Sequence, residues 1–564
     1  VRESDRLLIG TAKRGKRLLS VLALCRLFET AAGILLPVML ASVIDTVISR
    51  DGMMTPAVLL IILLGLITLA EIGEQIAGAK VNATAAARLR HSVFARVFEL
   101  GLPGGRRFPV GDVLNRAMDS AAEVSRAGPN LLDMICAPLI SLGGLVALAL
   151  IDWRLVLVFA VGVPVVSMLA SRLIRRVTVL TGRYQEAQGE LASRFVEAVG
   201  GARTIRAAGT LDREVTRVLT PLSRLHEAGL EFWETQRRAG WYLSLLAPTL
   251  QVGVLVIAGI GVVDGRVSAG ELLAAQLYLG YALRLLSQVG ILAELGRIRG
   301  SAERVQEIFD EPLPPGGDRP LPPGPGVLEL RGITAIVDGR TVLDDVHLTI
   351  PAGSEVAIVG ASGTGKTTLA LIAGAVLPPQ SGKILLDGTD LATVSRDETR
   401  RAISVAFERP CMLGDTVGEM IGFGDDYVAD TAVELAARAS HAAGFIARLP
   451  SGYGTPLAGL RLSGGESQRL GLARSVCRGA RVVVLDDALS SVDTATESEI
   501  TAAMHEALRG VTRIVVAHRM RTAAGADLVA WLDEGRVRAF GAHHELLADP
   551  AYQALFGAQP VGVS

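Results

Sequence analysis

From Glu355 to Thr368 the chain reads EVAIVGASGTGKTT. Five residues of strand character run into a glycine-spaced turn, then into lysine and two hydroxyl residues. This is GxxxxGK[ST] in the strand–loop–helix setting that the pattern requires. Glycine lets successive backbone N–H groups close round phosphate oxygens, and a helix beginning there adds the positive end of its dipole. Gly360, Ala361, Ser362, Gly363, Thr364, Gly365, Lys366, Thr367 and Thr368 are therefore expected to hold the phosphates of ATP. Lys366 reaches the β- and γ-phosphates in this reading, and Thr367 ligates Mg2+.

A second apolar run, Val482–Leu485, ends in Asp486-Asp487. Four apolar residues followed by a carboxylate form the Walker B pattern, which puts Asp486 on the same ion, directly or through water. Such residues work together only if strands deliver them to one edge of a sheet. The runs Glu355–Val359, Arg481–Leu485 and Arg513–Ala517 alternate with helical patterns, which predicts a soluble α/β domain after about residue 327.

The first half of the chain has a different character. Half of the 564 residues are hydrophobic, only 20% are charged and the mean hydropathy is +0.41. That composition excludes a largely disordered chain. A net charge of −1 argues against nucleic-acid binding. Four cysteines without metal-ligand spacing argue against a zinc or disulfide framework, and they read as buried apolar fillers. Six segments are long enough to cross a bilayer, near Leu18–Ile48, Pro56–Ile76, Leu131–Ile151, Leu155–Ile174, Trp241–Val263 and Leu272–Leu295.

The connections after the second and fourth segments are rich in arginine, among them Arg88, Arg90, Arg96, Arg116, Arg172 and Arg203. The positive-inside rule then puts the amino terminus, both long connections and the α/β domain on the cytoplasmic side of the membrane. Helix-forming residues continue through Ala85–Leu102 and Glu186–Val199, so the membrane helices should extend well past the bilayer. Glu71, Glu74 and Arg284 fall inside the spans and are candidates for a polar path for cargo, Glu71 and Glu74 sharing a helix face. The stretch EPLPPGGDRPLPPGPG, Glu311–Gly326, is too rich in proline for helix or sheet and reads as an extended tether. The expected division is a membrane domain over 1–310, a linker over 311–326 and a nucleotide-binding domain over 327–564.

Between the two phosphate-site motifs lies Leu462-Ser463-Gly464-Gly465-Glu466. LSGG just upstream of Walker B, after six spans, resembles the ABC transporter family, in particular half-transporters of the exporter type. The resemblance extends over nearly the whole chain. It includes Gly111-Asp112, Glu197–Arg206 and Ser301–Asp310, which look like two coupling regions and the exit from the sixth span. It implies that two such chains pair head to tail. Each ATP then lies between the Walker residues of one chain and the LSGG segment of the other. Leu462, Ser463, Gly464, Gly465 and Glu466, with Asp493 of a D-loop-like SSVD, would serve the partner's ATP. His518, in VVAHR after a strand, matches the family's switch histidine.

Three positions depart from the family pattern. Asp487 stands where a catalytic glutamate is usual, Val337 where an adenine-stacking aromatic is usual, and Glu408 where the Q-loop glutamine is usual. Asp487 is one methylene short, and ~1 Å of misplacement can cost roughly 10²-fold in rate. Glu408 could still ligate Mg2+ but cannot donate an amide hydrogen bond. The segment before LSGG, Gly452–Leu460, also lacks the usual acidic stretch. The expectation is a chain whose own Walker side is slow while its LSGG side is sound, paired with a different half-transporter. Its cargo would be a modified peptide, a natural product or another amphipathic molecule, handled among membrane lipids. A homodimeric drug or lipid exporter, an importer on the same fold and an ATP-gated channel are the alternatives. Too few residues precede the first span for a peptidase domain, so any leader removal is expected elsewhere.

Overall fold

A computed structural model describes residues 16–50, 54–283, 288–424 and 428–556. The chain divides into two compact units, Val1–Arg96 with Val110–Asp310, and Val97–Pro109 with Glu311–Ser564.

The first unit is helical. Its main elements are α1 (Lys16–Ser49), α2 (Met54–Arg107, whose last turns belong to the second unit), α3 (Ala127–Ile151), α4 (Trp153–Gly200), α5 (Leu222–Val263), α6 (Ala269–Leu283) and α7 (Gln288–Asp310). Among the described residues, helices thus cover the six apolar segments. Among the described residues Lys16–Ser49, Met54–Arg107 and Val110–Ile151 each contain a window apolar enough to cross a membrane, and Pro248–Val263 is a shorter apolar stretch. At ~1.5 Å per residue, α2 up to its kink at Gly101 and the 48 residues of α4 each far exceed the ~30 Å of a hydrocarbon core.

Large apolar side chains such as Leu24, Ile61, Leu69 and Leu150 point outward, as lipid contact requires. Inside, small residues let helices approach closely. A Cβ on Gly270 of α6 would collide with the carbonyl of Ala41 in α1, and the Tyr278 hydroxyl donates to the Ile34 carbonyl at 2.6 Å.

Among its described residues the second unit has ten strands: β1 (Leu328–Val337), β2 (Arg340–Ile350), β3 (Glu355–Val359), β4 (Ser381–Leu386), β5 (Thr389–Asp390), β6 (Ile403–Ala406), β7 (Val482–Leu485), β8 (Thr512–Val516), β9 (Leu528–Asp533) and β10 (Arg536–Gly541). β2-β1-β4-β5 form an antiparallel sheet, and the larger sheet has the order β10-β9-β3-β8-β7-β6. β3, β7 and β8 are parallel neighbours, with β3 against β8 and β8 against β7. They are apolar almost throughout, as strands covered on both faces must be. Their carboxyl ends therefore bring Gly360, Asp486 and His518 to one edge, the usual place for ligands in an open α/β sheet. Val337 ends β1, before a tight turn in which Asp338 and Gly339 both have positive φ.

Two expectations need correction. The 311–326 segment is extended but is no free tether: it is strapped to the second unit. Gly317 N–H donates to the Val394 carbonyl at 2.9 Å, Gly326 N–H to Asp387 at 2.8 Å, and Leu321 is buried. Cys411 is exposed rather than a core filler, because it lies in the loop that follows Glu408, outside any strand or helix. Cys136 is buried, and Cys25 and Cys477 are partly covered.

Candidate functional site

The loop after β3 has the backbone that its glycines foretell. Gly360, Gly363 and Gly365 all adopt positive φ. A Cβ on Gly360 would strike the Leu532 carbonyl, and one on Gly365 would lie 2.9 Å from Leu343. The cradle is thus closed to side chains from its own residues and open to a group that hydrogen-bonds with backbone N–H. Helix α8 (Lys366–Ala373) starts there.

Lys366 is buried, and its ammonium donates to the carbonyls of Gly360 and Ala361, each at 2.9 Å. Burial holds that ammonium below its ordinary pKa. Thr367 Oγ1 donates to Asp486 Oδ1 at 3.2 Å, so a hydroxyl and a carboxylate already meet beside the loop. These features fit a triphosphate with its Mg2+. Among the described residues no cluster of three or more His, Cys, Asp or Glu could hold a metal alone. Mg2+ is usually held by one or two carboxylates together with substrate phosphates.

Asp486 and Asp487 both have carboxyl groups pushed upward, chiefly by burial, with His518 partly offsetting the effect. Asp487 and His518 line one cavity of about 180 Å³, so the structure brings these two residues together. Asp487 also has φ +50, a left-handed conformation that aspartate tolerates better than most residues. Glu408 follows β6 closely, is half-exposed, and its charge acts on both aspartates.

The LSGG segment presents an exposed Ser463 and Gly464 at the start of α9 (Gly464–Cys477 here), with Leu462 packed beneath. Ser463 caps this helix and Glu466 caps it in return. The Ser463 N–H and hydroxyl both donate to the Glu466 carboxylate, at 2.9 and 2.8 Å. Those bonds keep the Glu466 carboxyl below the usual range. Asp493 caps the next helix through Thr496 N–H at 3.0 Å and stays exposed.

Sequence reasoning overlooked Gln468. It is buried, donates from Nε2 to the Glu408 carbonyl and the Ser490 hydroxyl, both at 2.9 Å, and accepts from Ser491 N–H at 2.8 Å. One amide thus joins the loop after β6, the LSGG helix and the SSVD turn. Its signal was available: a glutamine on the buried face of an otherwise apolar helix side.

In the first unit, Glu74 is buried and Arg26 bridges it and Asp133, at 2.8 Å to each, whereas Glu71 is exposed. The two glutamates therefore differ in surroundings despite their spacing. Arg284 lies outside the described residues. Arg116, in a π-helical turn over Arg116–Ser120, bonds Asp112 at 2.8 Å and Glu307 at 2.7 Å. It ties the first connection to the helix leaving the sixth span.

Comparison with known proteins agrees with this architecture. Residues 19–286 match the family ABC transporter transmembrane region, and residues 343–490 match the family ABC transporter. The chain is 38% identical over 551 residues to the ABC transporter ATP-binding protein RamA of Streptomyces coelicolor, covering 96% of this chain and 86% of that one. It is 27% identical over 481 residues to the ATP-dependent lipid A-core flippase of Desulfotalea psychrophila, covering 83% and 84%. A bacterial Atm1-family ABC exporter with ATP bound superposes with a TM-score of 0.79 at 25% identity, over 97% of this chain and 99% of the other.

The chain belongs to the ABC transporter family, as an exporter-type half-transporter with its membrane domain and ATPase domain fused. Its ATPase domain binds ATP, with Mg2+ as the typical ion, and drives export across a membrane after pairing with another half-transporter.

Within that family role Gln468 can be tested directly. Gln468→Ala removes three hydrogen bonds from a buried site and should lower stability by about 1–3 kcal/mol. Thermal unfolding of the full chain measures this, and an unchanged midpoint would contradict the linking role.

Proposed function

We propose that this chain is one half of a heterodimeric exporter in the bacterial cytoplasmic membrane, and that its own Walker side turns ATP over slowly. The reading rests on Asp487, a carboxylate one methylene short at the position next to Asp486 and beside His518. In this reading Lys366 and the N–H groups of residues 360–368 hold the phosphates. Thr367, Asp486 and Glu408 would hold Mg2+, which would supply neutralisation of the charge on the transferring phosphoryl group. Asp487 orients the attacking water and His518 the γ-phosphate. Val337 gives the adenine an apolar contact without a π-face. Leu462, Ser463, Gly464, Gly465, Glu466 and Asp493 complete the partner's site.

The cargo is an amphipathic molecule such as a modified peptide, a natural product or a lipid. The similarity to a lipid A-core flippase supports the amphipathic class. Glu71 is a candidate contact for it, whereas the ion pair of Glu74 with Arg26 favours a structural role.

The test is to purify the chain alone in lipid nanodiscs and measure Mg·ATP hydrolysis together with oligomeric state. Negligible turnover that appears on co-expression with a second half-transporter is the expected result. A stable homodimer whose turnover is abolished by Lys366→Ala would overturn the heterodimer.

A further inference from the structure

Within the second unit, a cavity of about 580 Å³ opens between the Phe98–Leu102 segment, the strap at Pro314-Pro315 and the ATPase core around Leu377–Ile384 and Asp390–Arg400. Its size is that of a small-molecule site. Much of its wall is apolar, including Leu102, Pro315, Leu377 and Pro379, and Phe98 at its edge is 82% exposed. An aromatic left so open beside an apolar hollow is suited to contact with an apolar body.

The charged groups of the lining are Lys383, Arg396, Arg400, Glu99 and Asp390. Asp390 offsets Lys383 at 3.7 Å. Arg396 spends its fork on backbone, donating to the carbonyls of Glu99, at 2.9 Å, and Pro314. Arg400 differs: among the described residues its side chain makes no hydrogen bond or ion pair, and the charges of Arg478 and Arg396 act on it. Among the described residues Arg478 has no carboxylate partner either: it donates to the Arg400 carbonyl at 2.9 Å, and its buried Nε is unsatisfied. Arg400 is exposed, and the charges that act on it are both positive, a repulsion that an anion would relieve.

We propose that this cavity binds an amphipathic anion, an apolar body carrying a phosphate or carboxylate, with the head on Arg400 and the body against Phe98 and Leu377. The occupant bridges the end of the long α2 helix to the ATPase core of the same unit, which makes it an effector site separate from the phosphate loop.

The probe is 1-naphthyl phosphate, titrated calorimetrically into the full chain in nanodiscs with a nonhydrolysable ATP analogue filling the phosphate loop. Saturable binding is expected, with 1-naphthol and inorganic phosphate each at least ~10-fold weaker. Arg400→Gln should weaken binding at least ~10-fold, as loss of a charge-assisted hydrogen bond does, and Arg400→Lys should restore most of it. Ala392→Phe, which fills the cavity from an exposed position, should abolish binding. Lysophosphatidate delivered from the nanodisc lipid distinguishes a lipid source from a soluble one, and saturable binding of either probe that depends on Arg400 supports the site. Affinity unchanged by Arg400→Gln would overturn the proposal. So would binding lost in Lys366→Ala, or binding that vanishes on assembly with a second half-transporter because the partner fills the cavity.

Discussion

In a purified pair of this chain with a second half-transporter, Ser463→Ala is expected to lower ATP hydrolysis at least ~100-fold, whereas Asp487→Asn changes it less than ~2-fold. The first figure is the scale on which loss of one preorganised donor to a developing oxyanion slows catalysis. Ser463 is exposed at a helix amino terminus, where N–H groups and the hydroxyl can meet the partner's γ-phosphate. Its hydroxyl is engaged by the Glu466 carboxylate, so the phosphate has to displace an anion to gain that donor. In the proposed reading Asp487 reaches less far than a glutamate would, and little turnover would depend on it. Steady-state hydrolysis by the two variants, at matched expression and assembly, decides the matter. Comparable losses from both would remove the asymmetric-site reading.

The largest stability effect is expected at Arg513. Its guanidinium donates to Glu355 at 2.8 Å and to the Leu508 carbonyl at 2.9 Å, and meets His505 Nδ1 at 3.2 Å. His505 Nε2 in turn lies 3.2 Å from Glu355. Both members of the ion pair are only 6% exposed. Arg513→Met leaves the Glu355 carboxylate buried without its guanidinium partner, and stranding one buried charge costs about 3–5 kcal/mol. For a domain of this size that is a fall of roughly 6–20 °C in the unfolding midpoint. The double variant Glu355→Met/Arg513→Met should recover most of the loss, since a buried pair replaced by apolar residues is often neutral. Thermal unfolding of the full chain tests both, and a midpoint within 2–3 °C of the parent for Arg513→Met alone would contradict the argument.

Much of the site was legible because its chemistry is written locally. The GASGTGKTT loop needs its glycines in sequence, and an apolar strand that ends in Asp486 announces its own geometry. The long helices were equally legible, since helix-forming residues run past the apolar windows of α2 and α4. The rest depends on partners distant in sequence. Nothing near Gln468 names Glu408, 60 positions away, as the acceptor of its amide. Arg116 counted only as a charge until its side chain met Glu307. The proline-rich strap read correctly as extended, but its hydrogen bonds to Val394 and Asp387 were invisible, because proline content constrains φ and says nothing of neighbours.

The exposed thiol of Cys411 gives the chain a native reporter. It is the most accessible of the four sulfhydryls, three positions after Glu408, on a loop whose carbonyl accepts from Arg474 of the LSGG helix. A maleimide fluorophore therefore attaches there ahead of Cys25, Cys136 and Cys477 without prior removal of the others. Its emission would follow the environment of that loop as nucleotide arrives and leaves, in real time and on an otherwise unaltered polypeptide.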